Sequence, residues 1–218
     1  MKDLVKKFLS EADREKIRQA VEKAEAKTSG EIVPMVVSCS YHYPMANMIG
    51  AITIAFPLSI LLTQIVGELF WIGSRNLWLF IGILTVTFTV FLEIVKRVLW
   101  LKRLFISKKE MEEEVREAAL TGFYKEELYR TRDETGVLIF ISVFERKVWV
   151  LADRGINSKV PEGHWEGIVS HIVDGIKKRR QCEAICEAVA KVGDLLKGHF
   201  PIKPDDTDEL KNLIVQDD

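Results

Sequence analysis

The chain has 218 residues, enough for one ordinary domain with an insertion or for two small domains. Its 31 Lys and Arg residues balance 32 Asp and Glu residues to a formal net charge of −1, so the global positive field expected of a nucleic-acid-binding protein is missing. The three cysteines are odd in number and unevenly spaced, which argues against a disulfide framework. Cys182 and Cys186 lie four residues apart, a spacing that favours helix packing over a metal or redox role.

Residues 1–44 predict one helix and one strand. The stretch "SEAD" has the form of a capping box from Ser10 to Asp13, and an apolar face with helical spacing follows it up to Gly30. The next run, Glu31 to Cys39, predicts a strand, and Pro34 inside it indicates an edge strand or an irregular start. One helix and one strand cannot bury a core alone, so this segment must fold with sequence that comes much later.

Residues 45–100 contain nearly all the unbroken apolar sequence. The run from Met45 to Val66 has no charged side chain, and the run from Leu77 to Val95 has only Glu93. A helix needs roughly 20 apolar residues to cross a hydrocarbon core about 30 Å thick, and both runs reach that length. We therefore predict a transmembrane helical hairpin; the alternative is a pair of buried core helices in a soluble protein.

The basic residues near the ends of these runs predict an orientation in the membrane. The connection between the runs offers only Arg75, whereas six basic residues follow the second run: Lys96, Arg97, Lys102, Arg103, Lys108 and Lys109. The positive-inside bias then places both termini in the cytoplasm, with the lipid bilayer as the first partner. Glu93 lies near the interface, where an (i, i+4) pair with Arg97 is expected.

Residues 101–202 predict the remainder of an α/β domain. A capping box at Ser107 opens a charged helix to about Arg130, interrupted near Thr121–Gly122. Two strands are expected at 136–143 and 147–153, followed by helices at about 163–180 and 181–197 with Gly198 as the stop. The acidic residues 203–218 are expected to form a flexible tail. Together with residues 1–44, these elements predict helices covering a small mixed sheet.

The two soluble segments together resemble the TPM domain family, in the bacterial form whose domain is split by transmembrane helices. The resemblance rests on "TSGEIVPMVV" at 28–37, "RTRDETGVLIFISVFERKVWVLADRGI" at 130–156, "VPEGHWEGIV" at 160–169 and "VGDLLKGHFP" at 192–201. It implies an α/β/α sandwich of Rossmann-like appearance without a dinucleotide motif. Members are associated with weak acid-phosphatase activity, divalent-cation binding, membrane-protein repair and receptor accessory roles. The bacterial form implies an inner-membrane location.

Acidic residues gather at the predicted strand ends. Phosphoryl chemistry needs carboxylates that hold a cation or act as a nucleophile, together with a cationic group that neutralises phosphate oxygens. Asp153 with Arg154 is the best local catalytic pair, and Glu31, Asp133 and Asp153 are the candidate ligands of a divalent cation, calcium or magnesium. The structural alternative is that these residues form the polar rim of a buried hairpin, because an Asp before Gly155 also suits a turn.

Two functions follow from these patterns and the resemblance. The first is a membrane-anchored interaction or accessory module for membrane-protein assembly or maintenance, which binds another membrane protein or a second copy of itself on the cytoplasmic side. The alternative is a weak, divalent-cation-dependent acid phosphatase that acts on phosphomonoesters. The chain contains no P-loop, G-x-G-x-x-G, G-x-S-x-G or H-E-x-x-H motif, which disfavours the enzymes that depend on them.

Overall fold

The computed structural model of the chain describes residues 4–71, 73, 76–160, 163–202 and 210–216. By internal contacts the chain divides into two compact units, one formed by Met1–Tyr41 with Glu112–Asp218 and the other by His42–Met111. Both apolar runs lie in the second unit, and all strands lie in the first.

The first unit begins with two helices, α1 (Leu4–Phe8) and α2 (Glu11–Glu25). The predicted capping box is present: the Asp13 N–H donates to Ser10 Oγ at 3.2 Å, and Asp13 Oδ2 accepts from the Ser10 N–H at 3.1 Å. Helix α2 ends at Glu25 rather than near Gly30, because residues 26–29 turn towards the carbonyl of Phe200.

The second unit begins with two long helices, α3 (Pro44–Leu69) and α4 (Leu77–Arg97), which form a hairpin, and a short helix α5 (Leu99–Leu104). Small residues recur along the buried face of α3 and let α4 approach closely: Ala46, Gly50, Ala51, Ala55, Ser59, Thr63 and Gly67. The Ser59 and Thr87 hydroxyls share a hydrogen bond of 2.8 Å between the two helices.

Both long helices are long and apolar enough to cross a membrane, and most of their length is exposed. Helix α3 continues through Pro57, as a packed membrane helix can. The predicted (i, i+4) ion pair of Glu93 with Arg97 is present, at 3.9 Å, and Lys96 is a second and closer partner, with its Nζ 2.9 Å from the carboxylate.

The second segment of the first unit supplies most of the remaining elements, although α6 begins in the last residues of the second unit. They are α6 (Lys108–Lys125), a 3-10 turn at Leu128–Arg130, β2 (Gly136–Ser142), β3 (Lys147–Ala152), α7 (Arg154–Asn157), α8 (His164–Lys177) and α9 (Gln181–His199). The predicted interruption at Thr121–Gly122 is wrong. Helix α6 passes through Gly122, whose missing side chain makes room for the Met35 sulfur. Gly198 likewise lies inside α9 rather than ending it.

In the described part of the chain the sheet is mixed and has four strands in the order β3-β2-β1-β4, where β1 is Glu31–Val37 and β4 is Ile214–Gln216. Strand β1 is parallel to both β2 and β4, whereas β3 is antiparallel to β2. The prediction that Pro34 marks an edge strand is wrong, because β1 is internal. Pro34 is tolerated because β4 pairs only with Met35–Val37, so no partner on that side needs its missing N–H.

The predicted flexible tail is also corrected in part. Ile214–Gln216 forms β4 at the sheet edge, because the β-branched residues Ile214 and Val215 favour a strand. Residues 203–209 and 217–218 of that predicted tail lie outside the described residues.

Hydrophobic clusters cover both faces of the sheet. One contains Ile32, Val36, Ile139 and Val148 with apolar residues of α2, α8 and α9; the other contains Met35, Leu138 and Phe140 with Val115, Ala119 and Phe123 of α6. Strand residues buried on alternate faces account for the continuous apolar sequence of β1 and β2, where every residue is buried.

Candidate functional site

The predicted acidic residues lie at one end of the sheet. Glu31 is the first residue of β1 and pairs with Gly136, the first residue of the parallel strand β2. Asp153 follows β3, which runs the other way, and its N–H donates to the Gly136 carbonyl at 2.9 Å. Asp133 lies in the loop that leads into β2. We call this the amino end of the sheet, after β1 and β2.

Asp153 is used as a helix cap. Its Oδ1 accepts a hydrogen bond of 2.7 Å from the Arg154 N–H, and it begins the short helix α7. The second carboxylate oxygen, Oδ2, is buried and has no hydrogen-bond partner among the described residues. Arg154 itself is exposed.

The loop before β2 is fixed by main-chain packing. Gly155 lies so close to this loop that a side-chain carbon there would come within 2.6 Å of the Asp133 carbonyl oxygen and 2.7 Å of that of Glu134. The buried Thr131 hydroxyl accepts from the Thr135 N–H at 2.9 Å, and the Thr135 hydroxyl donates to the Ser29 carbonyl at 3.1 Å. These contacts give most of the "RTRDETG" and "ADRG" patterns a structural role.

The three predicted cation ligands differ in their surroundings. Glu31 is buried, with 8% of its surface exposed, whereas Asp133 is exposed to solvent. Among the described residues, which include all three, there is no group of three or more His, Cys, Asp and Glu side chains arranged to hold a metal ion. The donor set therefore does not fit a three-ligand calcium or magnesium site.

The opposite end of the sheet holds a buried carboxylate that the sequence did not single out. Glu145, in the turn between β2 and β3, is fully buried. It accepts hydrogen bonds from the Ser142 hydroxyl, from the Ser40 N–H at 3.0 Å and from the Cys39 thiol at 3.4 Å. The sequence placed Glu145 in a charged turn. Only the parallel pairing of β1 with β2 brings residues 39–40 beside it.

A cavity of about 450 Å³ opens at this carboxyl end, between the sheet and α6. Open α/β sheets bind ligands in the crevice outside the carboxyl ends of their parallel strands, so this is the position where a pocket is expected. Its walls combine apolar strand residues with charged residues of α6, namely Glu114, Glu117 and Lys125. The rule that ligands bind outside the carboxyl ends of parallel strands is the signal that could have pointed to this end of the sheet.

Cys182 and Cys186 are partly buried and pack against the hydrophobic cluster that contains α9. Burial, together with the neighbouring Cys186, raises the pKa of the Cys182 thiol to about 12, and burial also raises the pKa of Cys186. Both thiols are therefore protonated near neutral pH and are poor nucleophiles or metal ligands.

Comparisons with known proteins agree with this architecture. The family model described as "TPM domain" matches residues 97–195, slightly less than half of the chain. The matched region contains α6, β2, β3, α7 and α8, whereas β1 lies before it. No curated protein matches the chain significantly.

A solved structure with a similar fold is the NMR structure of BA42 protein from the psychrophilic bacterium Bizionia argentinensis. The two chains are 20% identical, the TM-score is 0.58, and the match covers 96% of this chain and 95% of that one. This similarity shows the fold.

Proposed function

We propose that the protein is a membrane-anchored TPM-domain protein, in which a two-helix transmembrane hairpin holds a cytoplasmic α/β/α sandwich that binds another membrane protein. The observation that carries the proposal is the exposed apolar length of α3 and α4, since both are long enough to span a bilayer. Apolar helices with this exposure need lipid or protein around them.

The hairpin suits an anchor better than a transport path. Its cross-helix polar contact, between Ser59 and Thr87, is satisfied, and the Thr63 hydroxyl donates to the Ser59 carbonyl at 2.7 Å. The one acidic residue of α4, Glu93, lies near its end beside Lys96. Transport would need polar groups along the membrane interior.

The proposed location is supported by the charges that flank the hairpin. The basic residues after α4 favour an inner-membrane protein of bacterial type with both termini in the cytoplasm. Single-cysteine variants at exposed positions test this orientation: Trp71→Cys in the connection, and Glu22→Cys and Glu166→Cys in the α/β unit. A membrane-impermeant maleimide applied to intact spheroplasts should label only the Trp71 variant. Labelling of the Glu22 variant would contradict the proposed orientation.

An interaction role is supported by what the acidic residues do. Asp153 caps a helix, and the loop holding Asp133 is fixed through its main chain. Affinity capture of the full chain from detergent-solubilised membranes should enrich the same membrane protein in independent preparations. The control is an unrelated two-span protein with the same tag. Equal recovery with both baits would overturn the accessory role.

The weak acid phosphatase is a second candidate, and one observation favours it: Asp153 has a buried oxygen, Oδ2, that lacks a partner among the described residues, next to Arg154. Hydrolysis of p-nitrophenyl phosphate, with and without Ca²⁺ or Mg²⁺, tests it. Asp153→Asn keeps the capping oxygen but removes the charge, so a phosphatase that uses Asp153 should lose at least about tenfold in kcat. Unchanged turnover would remove Asp153 from the mechanism.

A further inference from the structure

An open strand edge lies in a groove on the α/β unit. Strand β3 is the last strand in the sheet order, so one of its sides pairs with β2 and the other has no strand partner in the described part of the chain. A groove of about 720 Å³ follows this side and includes Val148, Trp149 and Val150. The β3 residues of the groove end at Val150, and Asp153 is not among the groove residues.

The pairing register shows which main-chain groups face the groove. The Asp153 N–H bonds to the Gly136 carbonyl directly opposite, so this is a hydrogen-bonded pair. Such pairs alternate along antiparallel strands. Lys147, Trp149 and Leu151 therefore direct their N–H and C=O groups to β2, whereas Val148, Val150 and Ala152 direct theirs outward.

One end of this outward row is already satisfied. The Ala152 carbonyl accepts a hydrogen bond of 2.6 Å from the Asn157 side chain, which agrees with the outward assignment. For Val148 and Val150, the described residues supply no further partner on the open side. Two donors and two acceptors therefore remain in the spacing of a β-strand.

Helices border the groove on both faces of the sheet. Helix α6 contributes Val115 on one side, and α8 contributes Trp165, Val169 and Val173 on the other. Val148 and Val150 belong to the apolar cluster that also includes α8 residues, whereas Trp149 packs with the cluster of Val115. A strand placed here would meet the apolar residues of α8 with one face and Val115 beside the charged Glu112 with the other, which suits a segment of alternating apolar and polar residues.

The same borders restrict what can enter. Because α6 and α8 flank the edge, we expect a narrow occupant and not the helix-bordered sheet edge of a second copy. A single extended segment needs a width of only about 5 Å in the plane of the sheet. Lys147 is paired with Glu112 at 2.8 Å, and Glu166 lies on the α8 side of the groove. Exposed Arg146 at one end therefore provides the positive charge that would suit an acidic residue of that segment.

We propose that this groove binds an extended segment of the partner protein as an additional strand beside β3, with alternating apolar residues and an acidic residue near Arg146. This proposal rests on the accessory role proposed above and names the surface that serves it. Main-chain hydrogen bonds to Val148 and Val150 supply affinity, and Trp149 and Trp165, which line the groove, select apolar side chains.

The first test uses the full-length wild-type protein in detergent micelles and needs no variant. The probe is a fluorescein-labelled peptide, Glu-Thr-Val-Thr-Val-Thr-Val-Thr, and its anisotropy is followed on titration with protein, with empty micelles as the blank. The controls are a peptide of the same composition with its valines clustered and a pair of peptides N-methylated on one or the other alternating set of amides. Saturable binding should occur for the parent peptide and should weaken about tenfold or more for the peptide methylated on the set that bonds to β3.

Several outcomes would overturn the proposal. Absence of saturable binding by the alternating peptide is one. Equal binding of the parent and both methylated peptides is another, since it would show that the groove binds apolar side chains without hydrogen bonds to the peptide main chain. Dimerisation of the protein that competes with the peptide would assign the edge to a second copy.

A variant pair then tests the edge itself. Val150→Pro removes one outward N–H and leaves the bonds of β3 to β2 in place, a substitution that edge strands tolerate. Val150→Ala is the matched control, because it trims the same side chain and keeps the N–H. The Pro variant should bind the peptide about tenfold more weakly than the Ala variant, at an unchanged far-ultraviolet circular dichroism spectrum. Equal affinities would contradict strand addition.

The accessory role and strand binding at the β3 groove can be excluded independently. If the wild-type chain and the Val150→Pro variant capture the same membrane partner equally well, the accessory role stands and the β3 groove is excluded. If the wild-type chain captures no partner although the peptide binds β3 as described, the groove stands and the accessory role fails.

Discussion

The two ends of the sheet differ: one has the more strongly patterned sequence, and the other has an open cavity. The amino end has the more patterned sequence, with Glu31, Asp133, Asp153 and Arg154, but its loops are packed so closely that Gly155 has no room for a side chain. The carboxyl end has an ordinary sequence, yet it contains a cavity of about 450 Å³ and the buried carboxylate of Glu145. The polar motifs of the amino end form turns and a helix cap, whereas the cavity at the carboxyl end results from how α6 lies over the sheet.

The largest expected effect is at the amino end. A methyl group in Gly155→Ala would overlap two main-chain carbonyl oxygens that cannot move independently, so we expect a loss of about 2–4 kcal/mol in the free energy of unfolding. Chemical denaturation followed by tryptophan fluorescence measures this loss. Gly167→Ala in α8 is the control, since nothing lies within 4 Å of the added methyl group. Equal stability of the two variants would show that the amino end is not tightly packed.

The corresponding test at the carboxyl end is Glu145→Ala. Removing the carboxylate leaves the partly buried N–H of Ser40 and the buried hydroxyl of Ser142 without this acceptor, which costs about 1–3 kcal/mol. Glu22→Ala on the exposed face of α2 should change stability by less than about 0.5 kcal/mol under the same denaturation assay. A Glu145 variant as stable as the Glu22 variant would mean that the buried contacts contribute nothing net.

A smaller effect is expected at Asp153. Asp153→Ala removes a helix cap and should lower stability by about 1 kcal/mol, whereas Asp153→Asn keeps a capping oxygen and should lower it by a few tenths. Thermal denaturation of both variants in the same detergent measures the difference. If Asp153→Asn were instead markedly more stable than the wild type, the charge would be held under strain, as in an active site.

The smallest effect concerns the pH dependence of Cys182 alkylation. Because its pKa is raised from 9.0 to about 12, the folded thiol stays protonated from pH 8 to pH 10, where an unfolded thiol ionises. Iodoacetamide labelling quantified by mass spectrometry should therefore keep rising beyond pH 10 in the folded chain and level off near pH 10 in urea. A plateau near pH 9 in the folded chain would contradict the burial of this thiol.

Much of the architecture could be predicted from the sequence, because its signals are local. The capping box at Ser10, the strands around Val137 and Val148 and the two apolar helices are each specified by adjacent residues. The position of β1 inside the sheet could not be predicted, since it depends on β4, a three-residue strand nearly 180 residues later in the chain. A three-residue strand has too little pattern to stand out.

The candidate sites were harder to predict for the same reason. Asp153 and Gly155 are close in sequence, so their turn chemistry was visible but could equally indicate a site. Glu145 and Ser40 are 105 residues apart, and only strand pairing reveals that they meet. The groove beside β3 depends on α6 and α8 lying on opposite faces of the sheet, which no single segment encodes.

The central proposal is that this protein holds a partner beside the membrane and that the acidic residues at the amino end of its sheet are structural. The most direct measurement compares membrane-partner capture by full-length wild type, Asp153→Asn and Val150→Pro at matched expression. We predict that wild type and Asp153→Asn recover the same partner in equal amounts, and that Val150→Pro recovers about tenfold less. Loss of capture in Asp153→Asn with full capture in Val150→Pro would contradict the account.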